Sequence, residues 1–265
     1  MGRVDYKAYG ASFAHLYDRM VPAVESFSEI ENSIADVVKD SAGATIVELG
    51  VGTGRVAIPL AGALNERLQS SVTFIGVDVS LEMLERLRER DDRGQITSAL
   101  ADMTVREELH SAVGASSADV VLCVGGTFPQ IQSSDAQRAA FTHAAELLRP
   151  GGRLIVECHN PPAVRDMVAM TSGTLTIRYP SRSTALVWFT SIDDATGIWD
   201  IEEVWVEGEV ATWLRETTLL TSVEALDSYA QRSDLVRTDL AGAFGSGASY
   251  SRGSMMYTAT YEKRA

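Results

Sequence analysis

Between Ala44 and Val156, short apolar runs alternate with stretches of helical periodicity, and no other feature constrains the fold as tightly. "TIVEL" reads as a buried strand, followed by the helical "RVAIPLAGALNERL", where Pro59 stands near enough to the first turn to be accommodated. "VTFIGVDV" is a second strand and "SLEMLERLRER" a second helix, with Ser80 placed to cap it. "ITSALADM" is a third strand and "ADVVLCVGG" a fourth. "SDAQRAAFTHAAELL" is a helix stopped by the turn Arg149-Pro150-Gly151-Gly152, and "RLIVECH" is a fifth strand. Strands that alternate with helices predict a doubly wound parallel sheet.

The flanks follow other rules. Residues 1–43 read as helices. "FAHLYDRM" leads to Pro22, and "SEIENSIADVVKD" carries Ile30, Ile34, Val37 and Val38 on one face, behind a Ser28/Glu31 capping box. After Asn160 come "LTIRYP", "ALVWFTSI", "IWDIEEVWVEG" and "TWLRETTLL", strands joined by turns such as Asp193-Asp194 and Thr196-Gly197. Consecutive strands without helices pair antiparallel, so residues 161–220 are expected to form an inserted β meander. A helix opened by a Thr221/Glu224 capping box, "LVRTDL", a glycine-rich loop at 242–253 and "MMYTATYE" complete the chain over 221–265.

Composition narrows the function. The 265 residues are 45% apolar and 22% charged, ordinary for a globular protein with a substantial core. The net charge is −13 and no basic stripe breaks it, which disfavours nucleic acid and leaves a small molecule as the expected partner. No apolar run is long enough to cross a bilayer, and "MGRVDYKAYG" lacks the apolar core of a signal peptide. Two cysteines, Cys123 and Cys158, lie in strand-like runs and read as reduced, buried thiols. A cytoplasmic enzyme is expected. The four histidines (15, 110, 143 and 159) show no ligand spacing, so no metal is expected.

The loop after the first strand, "ELGVGTGRVA", opens a helix, which is a general way to hold a nucleotide. Gly50 and Gly52 fit the dinucleotide fingerprint, but its third position is Arg55, and Gly54 comes one residue early. Three acids then fall at successive strand ends. Glu48 ends the first. Asp78 ends the second, where a carboxylate can accept from both hydroxyls of a ribose. Asp102 ends the third, followed by Met103, a pairing suited to an exocyclic amino group and a flat ring. Singly, each reads as a solvated strand-end acid. Together they converge on one crevice of a parallel sheet.

"VELGVGTGRVAIPLA", "GVDVSLEML", "ADM", "ADVVLCVGGTF" and "LLRPGGRLIVE" resemble, in order, the motifs of class I S-adenosylmethionine (SAM)-dependent methyltransferases over about Ala44–Glu157. The resemblance implies a Rossmann-like core at 44–160, a seven-stranded sheet whose last two strands form an antiparallel pair, and SAM converted to S-adenosylhomocysteine (SAH). It implies that Glu48 serves the amino-acid end of SAM. Gly50, Gly52 and Gly54 would let the methionine moiety lie close, and Asp78 would hold the ribose. Val79 and Met83 would line the adenine side, Asp102 and Met103 would meet the adenine, and Val124 would complete the cofactor wall. Asn160-Pro161-Pro162 follows the fifth strand rather than the fourth and is followed by Ala163, so it reads as a turn and not as a base-methylating signature.

More loosely, the chain from Tyr6 onward resembles actinobacterial small-molecule methyltransferases of natural-product and antibiotic pathways, including amino-sugar and lincosamide N-methyltransferases. The shared features are "LYD" (Leu16-Tyr17-Asp18), an antiparallel insertion after the fifth strand, and "TLLTSVEAL". Members often have Phe-Asn-Thr where this chain has Gly125-Gly126-Thr127. The resemblance implies an N-terminal helical lid at 1–43, with Tyr17 near the SAM carboxylate or sulfonium and Tyr9 orienting a substrate amine. Phe128 would wall the acceptor pocket, and the insertion would cover the substrate or supply a homo-oligomer contact. Tyr9, Tyr17 and Phe128 read equally well as packing residues. His159, at the rim of the fifth strand, reads as a strand-end histidine or as a base. His143, in mid-helix, reads as structural. N-methylation of a small-molecule amine is the leading expectation, and O-methylation with His159 as base the alternative. An NAD-dependent dehydrogenase and a non-catalytic SAM-binding protein are the rivals from other classes.

Overall fold

The computed structural model describes residues 6–20, 34, 35, 38, 43–68, 72–179, 184–245 and 247–264; at 6–9, 11, 12 and 177–179 the backbone alone is described. Helix α1 spans Tyr6–Met20. The core then runs β1 (Thr45–Leu49), α2 (Ala57–Leu68), β2 (Thr73–Asp78), α3 (Leu81–Arg90), β3 (Ile96–Leu100), α4 (Arg106–Val113) and β4 (Ala118–Cys123). A 3-10 turn at Phe128–Gln130 leads to α5 (Ser134–Leu147) and β5 (Leu148–His159). Next come α6 (Pro161–Thr171), β6 (Thr174–Tyr179), β7 (Thr184–Asp193), β8 (Ile198–Glu207) and β9 (Val210–Leu219). The chain closes with α7 (Val223–Gln231), β10 (Leu235–Ala241) and β11 (Met256–Lys263).

Seven strands form one sheet in the order β10-β11-β5-β4-β1-β2-β3. β1 to β5 pair in parallel, and β11 lies antiparallel to both β5 and β10, as the resemblance implied. The strand order reverses between β1 and β4, and the crevice beyond their C-terminal ends is where such sheets bind ligands. β4 is buried at every position, as a parallel strand covered on both faces must be. One core layer joins β4, β5 and β11 to α5 and α7 through Phe141, Tyr257 and Tyr261. The other packs α2 and the buried Ile34 and Val38 on the opposite face. The Ser28/Glu31 pair, Ile30 and Val37 lie outside the described residues.

The expected meander is a separate four-stranded antiparallel sheet, β6-β7-β8-β9. On β8 the side chains of Trp199, Ile201, Glu203 and Trp205 alternate on the buried face. Register puts Leu186 opposite Trp205, Trp188 opposite Glu203, and Leu214 opposite Glu203 on the other side. Trp213, paired with Val204, faces outward and stacks on Phe189 at 6.0 Å.

Three local readings are corrected, and one helix is added to them. Residues 106–113 are helical; only Leu109 of α4 is buried and Val105 caps it without a side-chain bond, so its periodic signal is faint. The segment after Asn160 is helix α6 rather than a turn, with proline at its first positions, where no N–H is needed. Ser222, not Thr221, caps α7, accepting from the Ala225 N–H at 3.3 Å; the Thr221 hydroxyl instead donates to Gln137 at 2.8 Å. Arg149-Pro150-Gly151-Gly152 is not a turn between elements but an irregularity inside β5, where pairing shifts from Ala118–Leu148 to Val120–Arg153.

Asn160 secures the last loop. Its side chain is buried, and Nδ2 lies 3.2, 3.1 and 2.8 Å from the carbonyls of Ser251, Arg252 and Ser254, sharing two protons among three acceptors. Asn160→Ala removes the donor that gathers these carbonyls, two of them on exposed residues that water can reach. A loss of about 1–2 kcal/mol is expected, read as a lower urea midpoint with an unchanged slope.

Candidate active site

The loop after β1 is shaped by its glycines. The N–H groups of Gly50 and Val51 donate to the Val77 carbonyl at 2.7 and 3.0 Å, folding the chain over the end of β2. Gly50 has φ +73°, and a Cβ there would meet Thr127 Cγ2 at 2.1 Å. Gly52 has φ +55° and nothing within 4 Å of where its Cβ would be, so a bare stretch of backbone faces open space. Gly54 does something else. Its missing Cβ would strike Leu87 and Ile58, so it brings the loop against α3 and does not line the cleft.

Beside this loop lies a cleft lined by Gly50, Gly52, Asp78, Val79, Met83, Asp102 and Met103, seven of the residues expected from the sequence. Asp78 Oδ2 accepts from the Gly52 N–H at 2.8 Å and Oδ1 from the Ser80 N–H at 2.9 Å. Burial pushes its carboxyl above the usual range, against the pull of those N–H groups. The Val79 N–H also bears on this carboxyl, and the remaining lone-pair direction is available to a ligand. Ser80 caps α3 by accepting from the Met83 N–H at 3.2 Å. Asp102, two residues past the end of β3, is buried and accepts from the Thr104 N–H and hydroxyl at 2.9 and 2.7 Å. His143 Nδ1 sits 3.1 Å from the Met103 carbonyl, a structural role for a mid-helix histidine.

Helix α1 closes the cleft from above. Gly10 and Tyr17 are part of the lining. A Cβ on Gly10 would come within 2.3 Å of Ser80, so α1 touches the start of α3 at a point where only glycine fits. Each residue of "LYD" has its own task. Leu16 is buried with Phe13, Met20, Met83 and Trp205. Tyr17 enters the cleft and receives a hydrogen bond from Arg55. Asp18 accepts from Thr53 and from Arg90, both at 2.7 Å, pinning the helix to the glycine loop.

Beneath the loop, Glu48 is buried and Oε2 has no hydrogen-bond partner among the described residues. Burial lifts its carboxyl to about 8, eased by the Arg55 charge and sharpened by Asp78. Glu157 is also buried; it accepts from the N–H groups of Gly125 and Phe244 at 2.8 and 2.9 Å and feels Arg55. Arg55 thus serves Tyr17, Glu48 and Glu157 at once. In the sequence Arg55 stands out only as a misfit in a glycine pattern, although a lone cation among strand-end acids is a usable signal.

Three expected positions are corrected. Phe128 is buried in the main core, edge-on to Phe141 at 6.3 Å, so it anchors the turn and leaves the lining to Gln130 and Ile131. The Val124 side chain belongs to the α2-side core, because β4 turns it away from the cleft. His159 is not in the cleft lining either. It meets Trp199 of the insertion edge-on at 5.0 Å, its Cε1 would lie 3.4 Å from a Cβ on Gly126, and burial pulls its imidazole down to about 4. Tyr9 is on α1, with its side chain outside the described ones. Gly10, Gln130 and Ile131 also contact the cleft, from segments that match no cofactor motif, and Thr127 does so from the Gly125-Gly126-Thr127 segment.

A seven-stranded sheet with a crevice at its reversal, a glycine loop bound to a strand-end aspartate, and a second strand-end aspartate define a Rossmann-like nucleotide site. Residues 46–152 match the family model described as a methyltransferase domain, and the chain is a SAM-dependent methyltransferase with the class I fold. It is similar to a cypemycin N-terminal methyltransferase from a Streptomyces species, 26% identical over 70% of this chain and 73% of that one. Among solved structures it is similar to the CcbJ methyltransferase of Streptomyces caelestis, with a TM-score of 0.79 and 23% identity over 99% of this chain and all of that one. It is also similar to SAM-bound CalS10 of Micromonospora echinaspora, an amino pentose methyltransferase involved in calicheamicin biosynthesis, with a TM-score of 0.64 and 16% identity over 98% and 99% of the two chains. Both likenesses extend beyond the core and take in the inserted sheet.

The buried acids give the ligand-free protein a characteristic pH response. Glu48 and Glu203 are lifted to about 8 and Glu216 to about 7, all from 4.5. A carboxyl whose folded value is raised contributes stability that is full below the unfolded value and is lost as pH rises through the folded value. Glu203→Gln removes one such group. The variant should gain on the parent in melting temperature as pH rises from about 5 to about 8.5, and a constant difference would show that Glu203 does not titrate this way.

Proposed function

We propose that this protein transfers a methyl group from SAM to an amine of a small natural-product molecule, with SAM in the cleft under α1. In this reading Asp78 holds the ribose by accepting from its hydroxyls. Met83, Val79, Asp102 and Met103 surround the adenine. The methionine end lies along Gly50 and Gly52, near Tyr17, Arg55 and Glu48. The open backbone at Gly52 supports this, since it leaves room where a ligand must approach closely. Helix α1 acts as the lid, and the inserted sheet covers the acceptor.

SAM supplies an activated methyl group, so the protein's task is alignment of acceptor and methyl at a separation of about 3 Å, with water kept out. The choice of an amine over a hydroxyl activated by His159 rests on that imidazole. A hydroxyl acceptor needs a base, and an imidazole held near 4 behind Trp199 is a feeble one. An amine needs only to be neutral when it attacks. The names of two similar proteins, an N-terminal methyltransferase and an amino pentose methyltransferase, point the same way. Two buried free thiols suit a reducing compartment, in keeping with a cytoplasmic enzyme of antibiotic biosynthesis.

Two variants test the reading. Asp78→Ala should weaken SAH binding by about 10–100-fold in calorimetry, the loss of charge-assisted hydrogen bonds; full affinity would remove Asp78 from the site. His159→Asn should change turnover of an amine acceptor only modestly at saturating SAM. A fall of about 10²–10⁴-fold with SAH binding intact would make His159 the base and favour O-methylation.

A further inference from the structure

Two glutamates on the inserted sheet stand out because nothing neutralises them. Glu203 on β8 is buried at 5% exposure, and Glu216 on β9 lies diagonally across from it on the same face, since Ile201 pairs with Glu216 and Glu203 with Leu214. No lysine or arginine bridges either one among the described residues; Arg215, between the two strands' faces, turns to Asp200 instead. Burial next to a like charge is costly, and cores do not accumulate such pairs without a use.

Their surroundings point at a ligand. Glu216 receives a hydrogen bond from Gln130, which lines the cleft, and acts electrostatically on Tyr17, which lines it too. Other polar groups nearby are left without partners among the described residues. Thr218, fully buried and two residues beyond Glu216 on the same face, has an unpaired hydroxyl. Trp188, opposite Glu203, has an unpaired indole N–H, and His159 an unpaired Nδ1. Trp188 stands edge to face with Trp199 at 6.3 Å, so an aromatic pair lies next to Glu203 on this sheet. Carboxylates beside aromatic rings suit an organic cation.

We propose that Glu203 and Glu216 form the acceptor's ammonium site: the pair binds the amine as R–NH3+, and Glu216 takes one proton so that the neutral amine can attack. This inference rests on the reading of the cleft as a SAM site with an amine acceptor. The step balances. R–NH3+ and the carboxylate become R–NH2 and the carboxylic acid. The nitrogen lone pair then forms the N–C bond as the methyl–sulfur bond breaks, and the sulfur keeps that electron pair as a neutral thioether. The product leaves as R–NH2–CH3+, and Glu216 returns its proton to solvent. Values of about 8 and 7 in the ligand-free protein suit groups that exchange a proton near neutrality. Glu203 feels the Glu216 charge, and Glu216 acts on Tyr17 of α1, which also feels Arg55 and Glu48.

The test uses full-length protein loaded with SAH and two probes of equal shape, cyclohexylamine and cyclohexanol, titrated by calorimetry. At about pH 8.5 the ammonium probe, still protonated like a lysine, should bind at least ~10-fold more tightly than the alcohol. Glu216→Gln should abolish that preference and Glu203→Gln should reduce it. In the wild type alone the preference should shrink by about pH 5.5, as the pair takes up protons, which keeps the test decisive even if a variant fails to fold. Equal affinity for both probes, a preference retained in Glu216→Gln, or a preference indifferent to pH would overturn the ammonium site while SAH binding leaves the cleft reading intact. Failure of the wild type to bind SAH would instead bring down the cleft reading, and this inference with it.

Discussion

The Asp78 carboxylate is the contact on which the rest of the site is arranged. One oxygen fixes the glycine loop through the Gly52 N–H and the other fixes the entry to α3 through the Ser80 N–H. Loop, second strand and third helix are thereby held in one geometry by a single charged group. The loop in turn carries Thr53, which donates to Asp18 of α1, and Arg90 from the end of α3 reaches the same aspartate. The covering helix is therefore attached to the frame that Asp78 sets. Gly10 lets it approach Ser80 without a side chain between them. The result is a cleft with a rigid floor and a helical roof, the arrangement needed to align two reactants and exclude water.

The inserted sheet completes the enclosure on the acceptor side. Its inner face packs Leu186, Trp205 and Leu214 against α1, and Trp199 against His159. A face built only of such residues would be a plain lid. The interruption of that apolar surface by Glu203, Glu216 and Thr218 gives it chemical character, because carboxyls withdrawn from water without a cation, and a buried hydroxyl without a partner, cost stability unless a ligand compensates them. Arg55 does the opposite work on the floor, where Glu48 and Glu157 would otherwise face each other's neighbourhood uncompensated.

Much of this was legible in the chain. Gly50, Gly52, Asp78, Val79, Met83, Asp102, Met103 and Tyr17 were all expected at one site, and the structure gathers them around one cleft. Signals carried by local backbone requirements, a positive φ or a strand-end acid, translate directly into position. Phe128 and Val124 fail for a shared reason. Which way a side chain turns after a strand depends on the neighbouring layer, and both were drawn into the core. Helix α4 escaped notice because one buried leucine does not make a period, and α6 because two prolines read as a turn are equally good first residues of a helix.

By itself the sequence determined the alternation of strands and helices, the nucleotide loop, the acids at three strand ends and the antiparallel insertion, because each is encoded within a few neighbouring residues. Only the tertiary structure decided what lies across the cleft. Gly10 meets Ser80, Arg55 meets Tyr17, and Glu216 meets Gln130, pairs separated by 70, 38 and 86 positions when their numbers are subtracted. No periodicity spans such distances. The packing of α1 between α3 and the inserted sheet brings these residues together, and burial there gives Glu203 and Glu216 a chemistry that nothing in "DIEEVWVEG" or "WLRETTLL" announces.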